Sequence, residues 1–218
     1  MNYTTVIFDM DGVLIDSENV YYSWLRKFLK RNKMQVDEDR LIAINGMSIA
    51  ESEILLNTLC EPYTKGERNV WNEFISDHVE VDVSYKELEI PGVRELLIFL
   101  KEKGIKIGLA SSSTKHKICE ALEDLCIDEY FPVVLSGEDF KESKPNPEIY
   151  LKACELLGSL PQETIVIEDS WYGIEAGRRA GCYVIAREEK RLGFDQSSAD
   201  AIGKDMYHIK EMIARMLE

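Results

Sequence analysis

Two aspartates one residue apart, Asp9 and Asp11, close an apolar run and are followed at once by Gly12. The run Val6-Ile7-Phe8 reads as a buried strand, and the glycine frees the backbone for a tight turn. In an open parallel sheet, ligands bind beyond the carboxyl ends of the strands. The spacing therefore sets two carboxylates where a substrate arrives. Like charges held close together are costly unless a cation sits between them. The pair points to a metal-assisted acid/base or nucleophilic site. The plainer reading is a strand followed by an Asx-type turn, so the rest of the chain has to decide.

Three more polar clusters follow apolar strands. Ser111-Ser112-Ser113 follows Ile105 to Ala110, Lys144-Pro145-Asn146-Pro147 lies in the loop beyond Val133-Val134-Leu135, and Glu168-Asp169 ends Ile165-Val166-Ile167. Taken singly, each has a structural job. Ser111 suits a helix N-cap, Lys144 a solvated surface position, Glu168-Asp169 an acidic cap on the next helix, and Asp16 a turn. In one parallel sheet these strand ends share an edge, so the groups converge. Clustered hard oxygen ligands suit Mg²⁺, which keeps waters and takes substrate phosphate as a ligand. A lysine and a hydroxyl suit a phosphate oxygen. At about 4 Å and an effective dielectric near 20, one unit-charge pair is worth roughly 4 kcal/mol. A carboxylate approaching a phosphate dianion meets repulsion of that size, and a divalent metal and a lysine offset it.

These groups need elements to hold them. After Pro91-Gly92 the chain alternates. A helix marked by Val93, Leu96, Leu97 and Leu100 is closed by Gly104, and a strand from Ile105 to Ala110 follows. Ile118, Ala121, Leu122 and Leu125 mark the next helix, and Pro147 takes a first helical position ahead of Tyr150, Ala153, Leu156 and Leu157. Ile174 to Ala180 is helical with Gly181 as its stop, and Tyr183-Val184-Ile185 is a strand. Such alternation implies βαβ units and a parallel sheet. Before Pro91 the rhythm is helical only. Val20, Trp24, Leu25, Phe28 and Leu29 stripe a helix from Ser17 to about Asn32. Ser48-Ile49-Ala50-Glu51 looks like a capping box for a helix to about Cys60, and Thr64-Lys65-Gly66-Glu67 repeats the signal before Val70, Trp71, Phe74 and Ile75. The expected architecture is α/β. A Rossmann-like parallel core of residues 1–17 and 85–218 is flanked by helices, with an inserted all-helical cap of residues 18–84 above the site. A small domain there acts as a lid that excludes water. Trp24, Tyr21, Tyr22 and Trp71 have helical spacing that suits core packing, and Tyr21 is expected to face the cleft.

The balance of 26 basic against 40 acidic residues gives a net charge of −14. That disfavours binding to nucleic acid or to an anionic membrane. Cys60, Cys119, Cys126, Cys154 and Cys182 are scattered and form no C-x-x-C, which argues against a disulfide framework or structural zinc and fits a reducing compartment. No basic stretch leads an apolar one at the N-terminus, and no apolar run reaches membrane-spanning length. A cytoplasmic location is expected. Oligomeric state is unreadable, with a monomer as the default.

Asp9-x-Asp11-Gly12-x-x-x-Asp16, Ala110-Ser111-Ser112, Ser143-Lys144-Pro145-x-Pro147 and Ile167-Glu168-Asp169-Ser170-x-x-Gly173 together resemble the haloacid dehalogenase superfamily. Within it, the chain is similar to the beta-phosphoglucomutase-like phosphatase branch, helical insert included. The resemblance implies that Asp9 attacks phosphorus and forms an aspartyl-phosphate. Asp11 protonates the leaving oxygen, then takes a proton from the hydrolytic water. Ser111, with Ser112 beside it, binds the transferring phosphoryl group, and Lys144 balances charge. Asp9, the backbone carbonyl of Asp11, and Asp169 hold Mg²⁺, with Glu168 helping directly or through water. The substrate is a small phosphorylated metabolite. Asp11 argues against dehalogenation, because halide leaves without a proton. A sugar phosphomutase is the rival reading. By resemblance, its cap histidine and its cap arginine, which grips the distal phosphate, fall where this chain has Tyr21 and Ile49, so hydrolysis is favoured. A non-catalytic binding module has nothing to support it. Trp171-Tyr172, directly after Ser170, is bulky for a turn beside a metal site.

Overall fold

Thr5–Phe8 form β1, four buried residues at the centre of a six-stranded sheet. The computed structural model describes residues 3–37, 40–41, 44, 47, 49–78, 84–191 and 193–218, without the side chains of residues 18, 19 and 21. After β1 come α1 (Ser17–Arg31), α2 (Ile49–Thr64) and α3 (Val70–His78). Then α4 (Val93–Glu102), β2 (Lys106–Ser111), α5 (Lys115–Leu125), β3 (Val133–Ser136) and α6 (Glu148–Leu157) follow. The chain ends with β4 (Thr164–Glu168), α7 (Trp171–Ala180), β5 (Tyr183–Arg187), β6 (Ala201–Gly203) and α8 (Met206–Met216). The strand order is β3-β2-β1-β4-β5-β6, and neighbouring strands all run parallel. The fold is α/β and Rossmann-like.

Alternation along each strand splits the core in two. Val6 and Phe8 face a cluster with Leu96, Leu97, Ile118 and Ile209. Ile7, Val166 and Val184 face the other way, onto Tyr150, Ala153 and Ile174. Register aligns the strand ends: Phe8 lies opposite both Leu109 and Ile167, and Ala110 lies opposite Leu135. The chain leaves β1 toward β2 on one side and returns to β4 on the other. Asp9 therefore sits at the switch point, where open α/β sheets form their crevice.

Helices α1, α2 and α3 have a cluster of their own, built on Leu25, Phe28, Leu56, Leu59 and Phe74. Phe28 and Phe74 meet edge to face at 5.6 Å between ring centres. Tyr22 and Trp71 are buried in this cluster and Trp24 packs on it. The side chain of Tyr21 lies outside the described residues, as do Ser48 and its capping box. Three cysteines, Cys60, Cys154 and Cys182, are buried, while Cys119 and Cys126 are exposed.

Some local expectations change. The sequence Thr64-Lys65-Gly66-Glu67 does not open α3. Thr64 ends α2, which continues past Cys60 and through Pro62, because Leu59, Cys60 and Thr64 are all buried. Lys65 and Gly66 then turn with positive φ, 53° and 74°. The Asn69 side chain accepts the Asn72 amide at 3.0 Å and starts α3 instead. Two elements past Ile185, β6 and α8, complete the sheet and one helical layer. Among the described residues no helix is long and apolar enough to cross a membrane.

Phe74 is fully buried between α1 and α3. Phe74→Ala is expected to destabilise this cluster by about 3–5 kcal/mol, measured as a lower urea midpoint in tryptophan fluorescence, to which Trp24 and Trp71 both report from α1 and α3.

Candidate active site

The loop after β3 carries Lys144 over the ends of three neighbouring strands. Its Nζ donates to Asp9 Oδ1 at 2.6 Å, Glu168 Oε1 at 2.7 Å and the Ala110 carbonyl at 2.9 Å. Its side chain is 3% exposed, so Lys144 is no solvated surface lysine. The Tyr150 hydroxyl, from α6, donates to the same Glu168 oxygen at 2.8 Å. The other oxygen of Glu168 accepts from the Asp169 amide, the Ser170 amide and the Ser170 hydroxyl at 3.0, 3.2 and 3.1 Å. Both Glu168 oxygens are thus engaged, which makes this residue an anchor for its neighbours.

Ligand atoms of Asp9, Glu168 and Asp169 all lie within 4.8 Å of one another, and all three residues are buried. One ammonium against three carboxylates leaves an excess of negative charge. Burial pushes the Asp9 carboxyl well above the usual range, Lys144 pulls it back, and Glu168 pushes it up again. Burial acts against the Lys144 charge too, but Asp9 and Glu168 outweigh it and keep the ammonium protonated. A set of hard oxygens short of positive charge fits a divalent cation such as Mg²⁺.

Asp11 has different company. Its carboxylate takes the Lys117 ammonium at 3.0 Å, the Ser113 hydroxyl at 2.6 Å and the Ser17 hydroxyl. Burial would raise its pKa, but Lys117 and the two hydroxyls outweigh burial and hold it below the usual range. The Asp11 side chain is not among the three carboxylates that gather within 4.8 Å of one another.

Ser111 is 1% exposed and its Oγ accepts the Ser113 amide at 3.0 Å. It does not cap α5, because Thr114 accepts the Lys117 amide there. Ser112 is half-buried, and its backbone passes so close to Gly137 that a Cβ there would stand 3.2 Å from it. Ser170 caps α7 in place of Glu168 or Asp169, taking the Gly173 amide at 3.1 Å. Asp16 pairs with Arg191. The structure therefore brings Asp9, Lys144, Glu168 and Asp169 into contact range, with Asp11 beside them on its own partners and Ser111 next to the Ala110 carbonyl that Lys144 holds.

Two glycines make this crowding feasible. A Cβ on Gly12, whose φ is +78°, would lie 1.9 Å from Asp169 Oδ2, and one on Gly173 would lie 1.7 Å from Glu168 Oε1. Ser17, Ser113, Lys117 and Tyr150 are site residues that spacing alone does not single out. Ser113 lay in a visible serine run, while Tyr150 carries the pattern of a core residue. Trp171 and Tyr172 stack edge to face at 5.1 Å. Burial, then the Glu51 carboxylate on α2, lifts the Tyr172 hydroxyl.

The family model described as haloacid dehalogenase-like hydrolase matches residues 6–187. The chain is 38% identical over 178 residues to a phosphorylated carbohydrates phosphatase of Thermotoga maritima, covering 81% of each. It is 30% identical over 179 residues to a phosphoglycolate phosphatase of Aquifex aeolicus, covering 81% of this chain and 80% of the other. Its fold is similar to the crystal structure of a beta-phosphoglucomutase from Clostridium difficile, with a TM-score of 0.75 and 26% identity over 99% of this chain and 96% of that one.

Lys144→Met removes the cation from between buried carboxylates and is expected to lower stability by roughly 3–5 kcal/mol, read from urea denaturation. Asp11 gives a pH signature. A carboxyl depressed by folding stabilises the protein above its unfolded value of about 3.9, and that stability is lost as pH falls through the lower folded value. Lys117→Met lets burial win, so the acid-unfolding midpoint is expected to move to higher pH in circular dichroism.

Proposed function

The chain belongs to the haloacid dehalogenase-like hydrolases, and from that premise we propose that it is a Mg²⁺-dependent phosphatase acting through an aspartyl-phosphate. The observation that carries this reading is the Lys144 bridge between Asp9 and Glu168 inside a buried carboxylate group. Phosphoryl transfer asks a protein for positioning and charge stabilisation above all, and both are built into this group.

Asp9 attacks phosphorus in line. The carboxylate–phosphorus bond forms as the bond to the leaving oxygen breaks, and Asp11 gives that oxygen its proton. Asp11 stays ionised in the free protein. An arriving phosphate dianion raises its pKa by like-charge repulsion, so Asp11 takes up a proton from solvent as the substrate enters and has one to give. Once it has lost its proton, Asp11 takes another from water. The water oxygen bonds to phosphorus, the bond to Asp9 breaks, and phosphate leaves. Lys144 stabilises the charge on Asp9 and the transferring group, and Ser111 and Ser112 hold phosphate oxygens. Asp9, the Asp11 carbonyl and Asp169 would hold Mg²⁺, with Glu168 behind them; the ion supplies charge neutralisation at the phosphate.

Helices of residues 18–84 form the cap that selects the substrate, a small phosphomonoester of the sugar phosphate kind. The name of the Thermotoga maritima relative supports that class. Five free cysteines suit a reducing, cytoplasmic setting. Transfer to a second sugar position, as in a phosphomutase, needs a grip on a distal phosphate. Ile49 offers none, being apolar and half exposed at the start of α2.

Purified protein is expected to hydrolyse p-nitrophenyl phosphate with Mg²⁺ and to stop with EDTA. Asp9→Asn should reduce the rate at least about 10⁴-fold. Full activity in Asp9→Asn, or bisphosphate-dependent isomerisation of glucose phosphates faster than their hydrolysis, would overturn this reading.

A further inference from the structure

A chain of polar contacts runs behind the two acidic loops, and the hydrolytic steps do not use it. It begins at Asp16, in the segment that joins β1 to α1. The Arg191 guanidinium grips that carboxylate with two nitrogens, Nη1 to Oδ2 at 2.8 Å and Nη2 to Oδ1 at 3.1 Å. Nε of Arg191 donates to Glu189 Oε1 at 3.0 Å, and the Arg191 amide donates to the same oxygen at 2.6 Å. Glu189 is buried, and burial alone would lift its carboxyl; the bonds from Arg191 outweigh this and hold it below the usual range. The Glu189 amide donates to Gln196 Oε1 at 3.1 Å. Gln196, also buried, gives its side-chain amide to two main-chain carbonyls, Asp169 at 2.6 Å and Arg187 at 2.7 Å. Arg187 in turn donates to the Gly12 carbonyl.

One end of this chain is therefore the entry to the helical segment. The other end is the peptide of Asp169 and the turn just after Asp11. The same residues border a cavity of about 550 Å³, lined by Asp16 and Val20 on one side, Leu88 and Pro91 on another, and Arg187 and Arg191 on a third. Both connections between α1–α3 and the sheet pass this space.

We propose that Arg191 is a positioning residue: its two-nitrogen grip on Asp16, relayed through Glu189 and Gln196 to the Asp169 carbonyl, couples the placement of the helical segment to the geometry of the metal-binding loop. A two-nitrogen arginine–carboxylate pair fixes direction as well as distance. The Arg191–Asp16 pair is 49% and 37% exposed, and exposed ion pairs add little to global stability; the Glu189 side chain, 2% exposed, leans on Arg191 as well, so cutting Asp16 is the cleaner probe of the grip. The effect of the grip should therefore appear in the loop rather than in unfolding. The proposal rests on reading Asp9 and Asp169 as metal ligands.

The test compares the full-length wild type with Arg191→Gln, Asp16→Asn and the double variant. Three quantities are read: the Mg²⁺ dissociation constant by calorimetry without substrate, metal-free amide hydrogen exchange, and the melting temperature. Arg191→Gln is expected to weaken Mg²⁺ binding about tenfold. It should also speed exchange around Asp169, and it should lower the melting temperature because buried Glu189 loses its Arg191 side-chain bonds. Asp16→Asn should weaken Mg²⁺ binding and speed the same exchange with melting near that of the wild type, and the double variant should lose nothing beyond Arg191→Gln, because the grip on Asp16 is already gone there. Unchanged exchange around Asp169 in Arg191→Gln overturns the proposal, as do additive effects of the two substitutions. A wild type that binds no Mg²⁺ overturns the metal reading instead, and exchange then decides the coupling alone.

Discussion

The Lys144 ammonium is the contact on which the rest depends. Phe8 and Ile167 are register partners, so sheet pairing forces Asp9 and Glu168 together just beyond them. Buried carboxylates at such range repel by roughly 4 kcal/mol per pair at an effective dielectric of 20. Lys144 sits within hydrogen-bond reach of both and of the Ala110 carbonyl at the end of β2. It thereby ties three adjacent strand ends to the loop after β3. One cation cannot neutralise three acids, and the remaining deficit is one that a divalent cation offsets.

The same side chain in two settings acquires two characters. Asp9 is buried beside other carboxylates and is driven toward the neutral form. Asp11, two positions on, is clothed by a lysine and two hydroxyls and is driven toward the charged form. The intervening turn turns their side chains to different partners. Within a stretch of three residues, one carboxyl is left short of positive charge and the other is already supplied with it, so an added cation would act on Asp9 and would favour its charged form.

The positions that touch at the sheet edge were legible because chemistry and topology coincide there. Polar groups directly after apolar runs stand out, and a parallel sheet gives them one common edge. Partners supplied from helices were not. Lys117 lies in the first turn of α5, where a lysine looks like any solvated residue, yet it meets Asp11 across a long sequence gap. Tyr150 occupies the apolar stripe of α6 correctly, and nothing in the stripe tells that its hydroxyl ends on Glu168. Thr64-Lys65-Gly66-Glu67 has the spacing of a cap but not the backbone, because the positive φ of Lys65 and Gly66 belongs to a helix end. The strand β6 is three residues long and only partly buried, too short for alternation to register. Gln196 sits in an irregular loop, and only coordinates show where its amide goes.

The register of β1 bears on how the protein is made. This strand is made before its partners Leu109 and Ile167, which come only after the whole helical segment. Helices α1 to α3 have a contiguous apolar cluster and can condense early. Four sticky residues must meanwhile wait without neighbours, which slows acquisition of the native state and leaves the nascent protein open to self-association or to chaperone capture. Asp9 therefore cannot take its place beside Glu168 until β4 has been made.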